Sequence, residues 1–260
     1  TDENISWEDL LINLADKHMD DPPESIPPHL HFTEFFDLMD ANRSTCPQKP
    51  LNRDFCELVE DWEPLCHHKA IVEWAKRNES PVLTTNFDQT LATAGNCSLH
   101  RTVKGGFTRH YPWESYFSTS KLTQPEAGFG IWHVNGMARY PDSIRLGTTH
   151  YMGSASRYQG WRGGLYKPDF EKWSGRHSWL HIMMHSPLVI IGLALDCQEA
   201  FIRWLVIERK KYMDKFPERK APVYYVSVES PRSSEFDDAR EYFFAKTGLE
   251  RLVVPSYDAL

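Results

Sequence analysis

The sequence contains no C-x-x-C pair. Its five cysteines (Cys46, Cys56, Cys66, Cys97 and Cys197) are odd in number and scattered. That pattern argues against a disulfide framework and a paired-thiolate zinc site, and it fits a reducing cytoplasm. No run reaches about eighteen apolar residues, so no membrane span is expected. No signal peptide is visible at Thr1, and the chain begins without Met, so residues are expected to precede it. Positive charge is in deficit. A net charge of −7 weighs against direct nucleic-acid binding, whose electrostatic footprint is basic. The basic clusters Arg209-Lys210-Lys211 and Arg219-Lys220 read as a solvated helix end and a loop. No internal repeat or low-complexity tract interrupts the chain.

What is present favours a folded core. Hydrophobic residues make up 41% and charged residues 25%, and nine Trp and 14 Phe supply large side chains to bury. A length of 260 residues suits one large domain, or a core with insertions.

Ser6 to His18 reads as a helix, with Ser6 as N-cap, Asp9 three residues on, and an apolar stripe of Trp7, Leu10, Leu11 and Leu14. Four prolines between Asp20 and Pro28 break regular structure. Phe32 to Met39 and Phe55 to Trp62 suggest short helices, so residues 19–66 read as a helical insertion. A helix over His67–Arg77 feeds a strand at Pro81–Thr84. Residues 96–130 and 153–176 lack a clear period and read as irregular insertions. The last third predicts helix Arg176–His185, strand Leu188–Ile191, helix Cys197–Met213, strand Val223–Val228, helix Ser234–Lys246 and strand Leu252–Val254. The second helix turns Phe201, Trp204, Leu205 and Ile207 inward, and the third carries an N-cap at Ser234 and Gly248 at C′. Continuous apolar strands alternating with helices predict an α/β fold, a Rossmann-like parallel sheet with helices on both faces.

Three polar clusters stand at strand ends. Thr85-Asn86-Phe87-Asp88 follows the first strand, and ligands of open α/β sheets bind at carboxyl ends of strands. The Asn86 amide can donate and accept at a sugar, and Asp88 can accept from hydroxyls. Equally, the pair can close an Asx-turn. His133, in Trp132-His133-Val134-Asn135-Gly136, is either a satisfied core histidine or a base with a pKa near neutrality. Gly192-Leu193-Ala194-Leu195-Asp196 can bring backbone N–H groups to a phosphate, or can start a helix with Asp196 as N-cap. His177, His181 and His185 recur every four residues, a metal-ligand spacing, but no Glu accompanies them as in H-E-x-x-H. No metal is expected there.

Taken in order, these clusters resemble the sirtuin-like NAD-binding superfamily. Thr84-Thr85-Asn86-Phe87-Asp88 is similar to its T-x-N-x-D motif, and His133-Val134-Asn135-Gly136 to the catalytic His and nearby Gly. Pro141 to Gly147 with Tyr151 resembles the segment after that His. Gly192 to Asp196 resembles the G-[ST]-S-L motif, with Ala194 in place of Ser. Val226-Ser227-Val228-Glu229 is similar to the late strand facing adenosine. The helix at Ser6 resembles the one after the family's Gly-rich loop, and that loop is absent from this sequence, a departure from the family pattern that bears on NAD binding. The missing four-Cys zinc module, the long spacing from Asn86 to His133 and Ala194 point to the bacterial anti-phage defence branch rather than to protein deacylases. The resemblance implies one sirtuin-like domain over 1–260 that hydrolyses NAD to nicotinamide and ADP-ribose without zinc. Asn86 and His133 would be catalytic, and Thr85, Asp88, Gly192, Leu193, Asp196 and Ser227 would bind NAD. A homo-oligomer and a defence-system protein partner are further implications. A non-catalytic sensor of NAD or ADP-ribose is the alternative reading, and a deacylase a third.

Overall fold

The computed structural model describes residues 5–43, 50–103, 107–167, 169, 172–228 and 235–256. Within it the chain divides into two units, residues 1–181 and 182–260.

In the first unit, α1 (Trp7–His18) starts as the sequence dictates. Asp9 N donates to Ser6 Oγ at 3.1 Å and Ser6 N donates to Asp9 Oδ2 at 2.8 Å, so two otherwise unpaired N–H groups are satisfied reciprocally. The Ser6 hydroxyl also donates to Asp9 Oδ2 at 2.7 Å, and this bond, with that from Ser6 N, holds the Asp9 pKa below its ordinary value. The stripe buries Leu10, Leu11 and Leu14 against α2 (Phe32–Ala41) and α3 (Leu51–Val59), which contribute Phe35, Phe36, Met39 and Phe55. Phe87, Ile144 and Leu146 join this core from outside the helices. Trp7 stays 39% exposed but stacks on Phe55 at 5.7 Å.

Next come α4 (Cys66–Arg77), β1 (Val82–Thr84), α5 (Thr90–Ala94), β2 (Ser98–Arg101), β3 (Ser115–Ser118) and β4 (Ile131–His133). The strands form a four-stranded mixed sheet in the order β1-β4-β3-β2. Only β1 and β4 are parallel, with Thr84 level with His133, while β2 and β3 run antiparallel to their neighbours. The expectation of an all-parallel sheet is therefore corrected for this unit. Residues 96–130 hold β2 and β3 rather than an irregular excursion. A second core of Val72, Ala75, Ala92, Phe117, Phe129, Ile131 and Met137 packs α4 and α5 with the strands.

The largest departure is α6 (Thr148–Leu165), an eighteen-residue helix that runs through residues 153–165 of the segment expected to be irregular. Gly160, Gly163 and Gly164 lower its intrinsic propensity. Burial of Ser154, Tyr158 and Leu165 outweighs that loss, and Gly164 lets Trp173 approach to where a Cβ would lie 3.1 Å from its ring. The expected helix Arg176–His185 is split into a 3-10 turn at Ser174–His177 and α7 (Trp179–His185).

The second unit contains β5 (Leu188–Ile190), α8 (Ala200–Lys215), β6 (Val223–Val228), α9 (Glu235–Thr247) and β7 (Leu249–Val254). Its strands form a three-stranded parallel sheet in the order β5-β6-β7. Gly248 ends α9 with φ +76°, its N–H donating to Phe244 O at 2.8 Å. The N-cap expected at Ser234 lies outside the described residues. On α8, Phe201 and Leu205 are buried as expected, but Ile207 is exposed. Arg209 is not a solvated helix end. Its guanidinium is buried and donates to the carbonyls of Met183, Ser186 and Ala221. Burial lowers its pKa to about 10. The protein is an α/β chain, and no helix among the described residues is long and apolar enough to cross a membrane.

Candidate functional site

β1 and β4 end side by side at Thr84 and His133, and the two loops beyond them are stitched together. Val134 N donates to Thr84 O at 2.9 Å, and Ala138 N to Phe87 O at 2.8 Å. Asn135 Nδ2 donates to Thr85 O at 3.4 Å. The His133 imidazole lies 2.9 Å from Asp88 O through Nε2. A carbonyl only accepts, so Nε2 carries the proton and Nδ1 keeps its lone pair. Nδ1 is buried with no hydrogen-bond partner among the described residues, as is Asn135 Oδ1.

The two proposed catalytic residues differ in access. Asn86 is exposed, with its backbone N–H donating to Thr84 Oγ1 at 3.1 Å. His133 is only 3% exposed and edge-on to Phe117. Burial pushes its pKa below the ordinary histidine value, against the opposing pull of the Asp88 carbonyl. The ring is thus a core histidine satisfied at Nε2, with Nδ1 unpartnered among the described residues.

Asp88 is 8% exposed, and its Oδ1 accepts from Thr90 N at 2.9 Å and from the Thr90 hydroxyl. This is the Asx-turn that leads into α5. Phe87 points the other way, edge-on to Trp7 at 5.5 Å and to Phe55 at 5.7 Å. One tetrapeptide therefore presents Asn86 outward while its neighbours anchor it.

In the second unit, Gly192 follows β5 with φ +69° and open space where a Cβ would stand. Leu193 is half-buried. Leu195 also has a positive φ, +52°, and is fully buried. Glu199 Oε2 accepts from Leu195 N at 3.0 Å and Arg203 donates to Leu195 O at 2.7 Å, which holds this turn. Asp196 caps the following 3-10 turn by accepting from Gln198 N at 2.8 Å. Ser227 is buried on β6, and its Oγ accepts from Arg251 Nε at 2.7 Å. Glu229 lies outside the described residues. Burial raises the Glu199 pKa to about 7.

No family model, curated protein or solved structure matches this chain.

Two of the histidines at metal-ligand spacing have side-chain partners. His181 Nε2 lies 3.1 Å from Glu126 Oε1, and His185 Nε2 lies 3.0 Å from Tyr212 Oη. His177 belongs to the preceding 3-10 turn.

Sequence reasoning misses Asn135 as a site residue, although a signal for it exists. Residues two apart on a strand share a face, so Asn135 continues the His133 side just past the end of β4. No sequence signal marks Glu199, because only its burial beside Leu195 distinguishes it from any helix-start acid.

Proposed function

We propose that the chain is an NAD+ hydrolase of sirtuin-like type that cleaves the nicotinamide–ribose bond at the mouth of β1 and β4. The observation that supports this reading is the pairing of an exposed amide, Asn86, with a loop locked beneath it by His133 and Asp88 at the carboxyl ends of two parallel strands. Asn86 holds the ribose and the attacking water. Water adds to the anomeric carbon, nicotinamide leaves with the bonding electron pair, and the proton from water passes to solvent or to a site base. His133, buried and neutral, keeps Asp88 and the Asn86 loop in place. Only a movement that opens Nδ1 to the ribose would let it act as the base.

Thr85 and Asp88 complete the ribose end through the loop backbone. Gly192, Leu193, Asp196 and Ser227 are a separate proposal for the pyrophosphate and adenosine, resting on the positive-φ turn after β5 and the parallel strand–helix–strand order of the second unit. NAD depletion by a cytoplasmic homo-oligomer acting with a defence partner is the biological setting that the family resemblance suggests.

The burial of His133 favours a second reading, an NAD or ADP-ribose sensor that binds without cleavage. Incubating the purified protein with NAD+ and quantifying nicotinamide and ADP-ribose, beside calorimetric titration with NAD+, separates the two. Nicotinamide release that is lost in Asn86→Ala supports the hydrolase. Binding with no release, in the presence of oligomer and partners, replaces it with the sensor. An acylated peptide added to the same assay tests deacylation.

A further inference from the structure

A cavity of about 330 Å³ in the first unit is lined by Tyr111, Asp142, Arg145, Thr149, His150 and Gly153, among others. Arg145 is 6% exposed, yet no carboxylate pairs with it among the described residues. Its Nε donates to Ser154 Oγ at 3.1 Å, one terminal nitrogen reaches Asp142 O at 3.4 Å, and the other donates to His110 O. A guanidinium has five N–H groups. Three are used, which leaves one on each terminal nitrogen, a fork of the kind that grips two oxygens of one anion. The Tyr111 ring lies 4.6 Å below the guanidinium and fixes its plane.

Asp142 lines the cavity and Asp37 accepts from Thr149 N at 3.4 Å, but neither carboxylate forms an ion pair with Arg145. His150 Nδ1 accepts from Leu146 N and Gly147 N at 3.3 and 3.2 Å, so the neutral ring carries its proton on Nε2. Gly153 gives Tyr111 room, since a Cβ there would stand 2.7 Å from the Tyr111 hydroxyl. Asp142 meets Arg145 through its backbone carbonyl. A buried cation is ordinarily paired.

We infer that this cavity is a binding site for a small oxyanion-bearing molecule, a phosphate ester or a carboxylate, held by the Arg145 fork, with the Asp142 carboxylate able to take a hydroxyl of the same molecule. The volume lies at the lower end of small-molecule pockets, which suits a compact metabolite. This site stands apart from the residues proposed for NAD cleavage, although Arg145 N donates to Asn135 O at 2.9 Å and so ties the two regions by backbone.

The test titrates the full chain with inorganic phosphate, acetate and, at matched ionic strength, chloride, following heat and melting temperature. Wild type should bind phosphate or acetate saturably and chloride not, and the tighter of the two identifies the ligand class. Arg145→Gln should abolish binding, but it can also unfold the protein. Thr149→Glu is therefore the deciding variant. Thr149 is exposed in the first turn of α6, where its N–H donates to Asp37 Oδ2 at 3.4 Å; an added carboxylate there gains from the helix dipole, meets repulsion from Asp37, and repels an anion in the cavity. Binding should weaken on the order of tenfold or more in Thr149→Glu and persist in Asn86→Ala. No saturable response beyond chloride, or equal affinity in a folded Thr149→Glu, overturns the inference.

Discussion

His133 donates from Nε2 to the backbone carbonyl of Asp88 across 2.9 Å, 45 residues apart in sequence. The bond joins the end of β4 to the loop after β1, and it makes the position of exposed Asn86 depend on a buried ring. His133→Ala should therefore cost stability as well as any activity. The lost ring leaves a cavity and an unpaired carbonyl, about 2–4 kcal/mol together. Equilibrium denaturation of wild type and variant measures this. An unchanged midpoint would show that the ring does not brace the loop.

The same ring sets a pH dependence. Burial holds its folded pKa below the ordinary value. The unfolded ring takes a proton near pH ~6.5. Between that point and the lower folded pKa, the unfolded state binds more protons, so stability rises with pH and falls as pH drops below about 6.5. His150 and His68, also lowered chiefly by burial, add in the same direction. His133→Gln, which can still donate to the Asp88 carbonyl, should show a shallower loss on acidification than wild type.

Asn86→Ala should be nearly silent in stability, within about 0.5 kcal/mol, because the side chain is exposed. On the hydrolase reading its nicotinamide release should fall on the order of 10²-fold or more while NAD+ affinity changes modestly. A folded variant that cleaves at the wild-type rate would remove Asn86 from the mechanism.

Gly136→Ala should be strongly destabilising, by roughly 3 kcal/mol or more. Gly136 has φ +98°, and a Cβ there would stand 2.1 Å from Ser143 O, a backbone atom that cannot swing aside. Soluble expression with a wild-type melting temperature would contradict the close approach of these two segments.

Glu199→Gln should stabilise the protein above pH about 7 and do little near pH 4.5. Burial raises the carboxyl to about 7. The folded state then holds a proton that the unfolded state releases from about pH 4.5 upward. Stability is therefore greatest at low pH and is lost as pH rises through the folded pKa. The gain in the variant is on the order of 1 kcal/mol, given partial exposure. Melting curves of wild type and variant at both pH values check it.

The sequence by itself determined the elements with strong local signals. Ser6 and Asp9 specify the start of α1, because their side chains satisfy N–H groups three residues away. Gly248 ends α9 because a positive φ is cheap only for glycine. Apolar runs marked β1, β5 and β6, and the polar residues beyond them were legible as strand-end loops. Tertiary structure decided the rest, through contacts that no local window contains. The orientation of β2 and β3 is set by pairing across the sheet, and α6 exists because Tyr158 and Leu165 find a core that its glycines do not advertise. Burial, a property of the whole unit, turned Arg209 from a surface charge into a carbonyl clamp. It also left Arg145 in a cavity and separated exposed Asn86 from buried His133. Residue type supplies the hydrogen-bonding groups, but desolvation and long-range contacts decide which of them solvent or a ligand can reach.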